Sequence, residues 1–267
     1  MAPTPTGQGR IRLLQACREG WIAFGKAPLP FLLFSLLSSL AMGACGVVGG
    51  LGVLALLAAL QVAEVPTEIL PRLLLMLVSL GAALVGLLGL GLVALVSTLG
   101  FCRGAWLALE GHRPRFADLI AWDGAAINRL VLAWSAQQGV LLLPLGLAAL
   151  AYFGLAGLGL ERLLGLPIGL VALALVWFGV NQCFLNPLCL FRETKPFAAV
   201  RRGIEGVQGQ WWRVFGLNGL LLAVMVLGAS AGGLAIALTP VVCCINMAAY
   251  RQLFGADDRL GLTTPRP

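Results

Sequence analysis

Side chains able to do chemistry are few in this chain, and their neighbours restrict them further. His112 is the single histidine. Glu110 stands two residues before it, but no second imidazole or carboxylate follows at a ligand spacing, so a solvated loop histidine is expected rather than a metal site. Gly20-Trp21-Ile22-Ala23-Phe24-Gly25-Lys26 fits the first seven positions of a phosphate-binding loop. The eighth position must offer a hydroxyl to Mg²⁺ and is Ala27, while Trp, Ile and Phe would crowd the phosphates, so the match reads as coincidence. The cysteines are Cys17, Cys45, Cys102, Cys183, Cys189, Cys243 and Cys244, with no C-x-x-C pair, and they read as small apolar packing residues. No catalytic residue, cofactor or metal site is expected, and the chain reads as non-enzymatic.

The uncharged polar groups say more. Gln137, Gln138, Asn181, Gln182, Asn186, Asn218 and Asn246 all fall inside otherwise apolar runs. Amides in that setting hydrogen-bond between helices by default, or else line a polar cavity. Asn186-Pro187 supplies the start of an Asn-Pro-Ala channel motif. Leu188 follows and only one copy exists, so a kink or helix end is expected. The same runs hold no Asp, Glu, Lys, Arg or His, the groups on which proton-coupled transport and intramembrane acid–base catalysis depend.

The elements that carry these residues follow from composition. The chain is 60% hydrophobic and 11% charged, with a mean hydropathy of +0.95. A soluble domain of this length could not bury so much apolar surface. Five charge-free runs stand out: 27–63, 73–102, 130–160, 163–191 and 214–250. Each exceeds the roughly 20 residues of a spanning helix. The last is too long for one span and breaks at Gly228-Ala229-Ser230-Ala231-Gly232-Gly233. The reading is an all-α, polytopic bundle of six spans, about 30–60, 73–100, 130–157, 163–190, 214–230 and 234–251. Residues 10–255 form one membrane domain, with disordered tails at 1–9 and 256–267. Residues 51–63 are either a kinked extension past Gly49-Gly50 or a re-entrant segment. Met42-Gly43-Ala44-Cys45 faintly resembles a lipoprotein cleavage site, but an uncleaved anchor is expected.

With six spans, one face collects 16 of the 18 basic residues and the other only Arg72 and Arg162. The positive-inside rule then places both termini in the cytoplasm of a cell whose plasma (bacterial inner) membrane holds the chain. Amphipathic segments precede the hairpins. Their apolar stripes are Ile11, Leu14, Cys17, Trp21 and Phe24; Phe116, Leu119, Ile120, Ile127 and Leu130, interrupted at Asp123-Gly124; and Phe197, Val200, Ile204, Val207 and Trp211. Such segments are expected flat in the headgroup layer. Lys26, Arg129, Arg201, Arg202 and Arg213 would then face anionic lipid.

Sliding residues 102–120 onto 183–201 aligns Cys102 with Cys183 and Phe116 with Phe197, which suggests three repeated units. Gly46/Gly50, Gly100/Gly104, Gly165/Gly169 and Gly228/Gly232 are spaced four apart, suiting close helix packing and a homo-oligomer. Gly111-His112-Arg113-Pro114-Arg115-Phe116, with Phe191-Arg192-Glu193-Thr194-Lys195-Pro196-Phe197, resembles the loops of a group of uncharacterised bacterial six-helix membrane families. These include the membrane domain attached to some glycerophosphoryl diester phosphodiesterases. The resemblance implies the fold and a loop before an amphipathic helix; it brings no catalytic residues. A non-enzymatic scaffold or lipid-interface protein is the first expectation. A permease or channel for a small solute, using the Asn/Gln cluster, is the alternative. A membrane-embedded enzyme is the least supported, and no nucleic-acid partner is expected.

Overall fold

A computed structural model describes residues 9–61 and 69–263. Its helices, in chain order, are α1 (Leu13–Lys26), α2 (Pro28–Gln61), α3 (Ile69–Leu109), α4 (Phe116–Ile120), α5 (Gly124–Gly157), α6 (Gly165–Asn181), α7 (Leu185–Phe191), α8 (Pro196–Gln208), α9 (Trp211–Ser230) and α10 (Leu234–Phe254). A single 3₁₀ turn, Glu161–Leu163, is described between α5 and α6. Among the described residues there is no strand, and six helical stretches are long and apolar enough to cross a membrane. The protein is a multi-pass, all-α membrane protein.

The long helices overrun the expected spans. At 1.5 Å per residue, the 41 residues of α3 reach about 60 Å, roughly twice the hydrocarbon thickness. α2 continues unbroken through Gln61, so residues 51–61 extend the first long helix and do not turn back. Residues 62–68, and with them Glu64, Pro66 and Glu68, lie outside the described residues. α5 starts six residues before the expected span because Asp123, which interrupts the middle apolar stripe, accepts a hydrogen bond from the Ala126 N–H and caps the helix.

The buried core gathers at one end. Phe31 and Phe34 on α2, Leu99 to Ala108 on α3, Leu130 and Ala133 on α5, Phe184 to Phe191 around α7, and Val241 to Tyr250 on α10 make it up. Trp106 stacks on Phe191 with centroids 4.2 Å apart, and Arg251 lies 5.1 Å above the same indole. This is the basic end. Toward the other end, α2, α3, α5 and α6 expose Leu, Val and Phe on most turns. Lipid is the natural solvent for those faces.

Small residues zip α2 to α3. A Cβ placed on Gly86 would sit 2.3 Å from the Gly49 backbone, and one on Gly52 would sit 2.4 Å from the Ala83 nitrogen. The expected glycine pairs share this work unevenly. Gly100 and Gly104 press on Phe34 and Phe31, and Gly228 on Ala235, whereas Gly46, Gly50, Gly165 and Gly169 face open space.

The segments before the hairpins pack on protein, with their expected stripes only partly inward. α1 buries Ala16, Gly20 and Ala23 against α10, and leaves Leu14 and Trp21 exposed. Gly20 is there for contact, since a Cβ on it would lie 2.5 Å from the Ile245 Cα. The loop-like glycine motif is therefore a helix-packing surface. α8 buries Ala199, Val200, Gly203 and Val207 and exposes Phe197, the start of its expected stripe. The C-terminal segment also departs from its expectation as a tail. Leu262 is buried, the Arg259 N–H donates to the Phe191 carbonyl at 2.9 Å, and Asp258 accepts from the Thr263 amide and hydroxyl. Residues 1–8 and 264–267, the outer parts of the two expected tails, lie outside the described residues.

Candidate functional site

Two prolines, one inside α10 and one in the first turn of α7, create the local chemistry of the site. A proline removes the N–H that would bond the carbonyl four residues earlier, and in lipid that carbonyl must find another donor. Pro240 frees the carbonyl of Ile236 in α10. The Ser35 hydroxyl of α2 donates to it at 2.5 Å. Pro187 leaves the carbonyl of Cys183 without its N–H. The Asn246 Nδ2 of α10 donates to that oxygen at 3.3 Å. Here the expected fourth span breaks: α6 ends at Asn181, residues 182–184 turn, and α7 restarts at Leu185. Two helix irregularities are thus answered by polar side chains from other helices.

Around these bonds α2, α3, α7 and α10 line a half-open cavity of about 330 Å³. Ser35, Ser38, Ser39, Ser97, Thr98 and Thr239 contribute hydroxyls, Asn186 and Asn246 amides, and Cys102 and Cys243 thiols. None of the described lining residues is charged. Several polar groups have work already. Thr239 Oγ1 donates back to the Ala235 carbonyl at 2.8 Å, and Asn186 Oδ1 accepts from the Trp134 indole at 2.8 Å. Because Asn246 must offer its nitrogen to a carbonyl, its oxygen faces away; Oδ1 is buried and has no hydrogen-bond partner. The hydroxyls of Ser38, Ser39, Ser97 and Thr98 make a surface suited to an uncharged hydrogen-bonding molecule.

The expected amide cluster divides. Asn186 and Asn246 reach the cavity. Asn181 and Gln182 are buried at the junction of α6 with α8, where Asn181 Nδ2 donates to the Trp177 carbonyl and Gln182 Nε2 to the Val200 carbonyl at 3.0 Å. Asn218 on α9 meets the Cys183 thiol. Gln137 is half-buried and Gln138 exposed on α5, and neither lines the cavity. The serines and threonines were missed, although Ser35, Ser38 and Ser39 recur at steps of three and four on one face of α2.

The five expected lipid-facing cations also divide. Lys26 Nζ donates to the Ala108 carbonyl at 2.7 Å, capping the last turn of α3. Arg201 pairs with Glu205 at 2.6 Å, and the hydrogen bond and charge of that carboxylate hold its guanidinium above its usual pKa. Arg202 pairs with Glu193 at 2.8 Å. Arg129 is half-buried with a sequestered Nε. Arg213 is exposed.

His112 is exposed in the loop between α3 and α4, with Nδ1 4.0 Å from Glu110. It borders a hollow of about 800 Å³ with Arg113, Arg115, Asp118 and Asp258. Behind the hollow, buried Arg103 pairs with buried Asp123 at 3.8 Å and donates to the Ala121 carbonyl at 2.7 Å. Among the described residues no group of three or more His, Cys, Asp or Glu is placed to hold a metal ion. No family model, no curated protein and no solved structure matches this chain.

Proposed function

We propose that the protein is a permease or channel for a small uncharged polar solute, held in the cleft between α2, α3, α7 and α10. One observation carries the reading: hydroxyls and amides from four helices converge on one cavity whose described lining bears no charge. A volume of about 330 Å³ lies at the small end of ligand pockets. An uncharged lining suits a solute that brings no charge, because a buried ion would need a partner. The alternative role, a non-enzymatic scaffold gripping anionic lipid through a five-cation collar, draws less support from the geometry, since Lys26, Arg201 and Arg202 already hold protein partners.

Flux of small polyols and amides into proteoliposomes tests the reading. Saturable entry is expected. It should fall at least about tenfold when Ser38→Ala, Ser39→Ala and Thr98→Val remove hydroxyls that bridge no helices. Entry no faster than through protein-free liposomes, for every solute tried, would refute the permease reading.

A further inference from the structure

A second cleft, of about 590 Å³, opens at the basic end where the N-terminal segment crosses the junction of α8 and α9. Its lining includes Arg10, Glu205, Gln210, Trp211, Trp212 and Arg213, and Glu205 is paired with Arg201 at 2.6 Å. Gln210 clamps the N-terminal segment there. It accepts from the Ile11 N–H at 2.7 Å and donates to the Gly9 carbonyl at 2.6 Å. With its side chain so engaged, Gln210 does not cap α9, and the first turn of α9 contains no acid. The indole N–H of Trp211 is buried and has no hydrogen-bond partner. Two arginines therefore border one hollow, in which the charge of Glu205 is offset by Arg201, beside an uncapped positive helix end.

An apolar track leads away from this hollow. Trp212, Gly216, Gly219 and Ala223 follow one another at steps of four, three and four along one exposed face of α9. Nothing comes within 4 Å of a Cβ built on Gly216 or Gly219, so the face is a shallow open furrow, edged by exposed Phe215, Leu222 and Val226. Positive donors at the head and a smooth apolar furrow behind them match an amphiphile with an anionic head.

We propose that this cleft binds an anionic phospholipid, its phosphate against Arg10 and Arg213, one acyl chain along Gly216, Gly219 and Ala223. The site is independent of the solute cleft. It also differs from a general basic collar, because Arg113 and Arg115 line a separate hollow and take no part.

Native mass spectrometry of the full chain, extracted from vesicles of matched phosphatidylglycerol and phosphatidylcholine, tests it. The wild-type chain should retain phosphatidylglycerol preferentially. Arg10→Gln and Arg213→Gln should each cut that preference roughly fivefold, the equivalent of about 1 kcal/mol per basic residue near anionic lipid. Arg113→Gln, in the separate hollow beside His112, should leave it unchanged. Arg10→Lys with Arg213→Lys keeps the charges that guide insertion and should weaken binding less than the Gln pair. Gly216→Leu fills the furrow without touching charge and should lower retention of phosphatidylglycerol. Glycerol phosphate, which has the head and no chain, should fail to displace the lipid at equal concentration. Unchanged preference in the double Gln variant, or displacement by glycerol phosphate as effective as by lipid, would overturn the assignment.

Discussion

Single residues here act mostly by what they must replace. Ser35 stands in for the N–H that Pro240 lacks, so the two should be energetically coupled. Ser35→Ala orphans the Ile236 carbonyl in an apolar setting and should cost about 1–2 kcal/mol. Adding Pro240→Ala restores an intrahelical donor and should recover most of that loss. Thermal unfolding of the two single variants and the double variant in detergent measures the coupling, and strict additivity would remove the explanation. Gly20 offers a second case. A Cβ there would meet the Ile245 backbone, whereas one on Gly25 meets nothing within 4 Å. Gly20→Ala should therefore destabilise by about 1–3 kcal/mol through overpacking. Gly25→Ala should be neutral or stabilising by up to about 1 kcal/mol, from helix propensity alone. The same measurement compares them.

At the scale of elements, what the sequence reveals depends on whether a signal is local. The spanning helices were legible because each is a long run without charge, and the basic loops are local too. The break between α6 and α7 was half legible. Asn186-Pro187 announces an irregularity, but the donor that satisfies it comes from Asn246, about sixty residues on, which no local pattern can show. The apolar stripes were legible only as spacings in the sequence. Their partners were not, because periodicity cannot tell a lipid-facing face from one that meets another helix. α8 lays Val200 and Val207 on the bundle, and α1 uses its smallest residues, Ala16, Gly20 and Ala23, for close approach. The cavity hydroxyls went unread because Ser and Thr in a spanning helix can bond their own backbone and so carry little positional meaning. Asp123 shows an element held by one side chain. It caps α5 and pairs with Arg103, both groups being buried. Asp123→Ala should cost about 3–5 kcal/mol by leaving the guanidinium uncompensated, and Asp123→Asn less, since the amide still caps. Equal losses from both, by thermal unfolding, would show that the charge contributes nothing.

The whole molecule is asymmetric along its helix axes, and this bears on how it sits in a membrane. Both ends of the described chain return to the basic end, where Ile11 bonds Gln210 and Arg259 bonds Phe191. The buried core, the charged hollow and the loops around His112 and Lys195 lie there as well. The opposite end exposes apolar faces, as lipid-solvated helices do, and its described turns carry few charges. A long helix such as α3 outreaches the hydrocarbon, so the overhang must fall at one end or be shared. Charged and aromatic groups around Leu99–Leu109, including Arg103 and Trp106, place the overhang at the basic end, which then stands partly in water. From the 16-to-2 division of basic residues we propose that this end faces the cytoplasm. Reporter fusions after Leu70 and after Glu161 should accordingly report the outside, and one after Thr263 the inside. Single cysteines should follow the same division. A cysteine at His112 should react with a membrane-impermeant maleimide only after the inner face is opened, and one at Gly159 should react in intact cells. Labelling of position 112 from outside would invert the molecule and require the basic end to be exported against its charge.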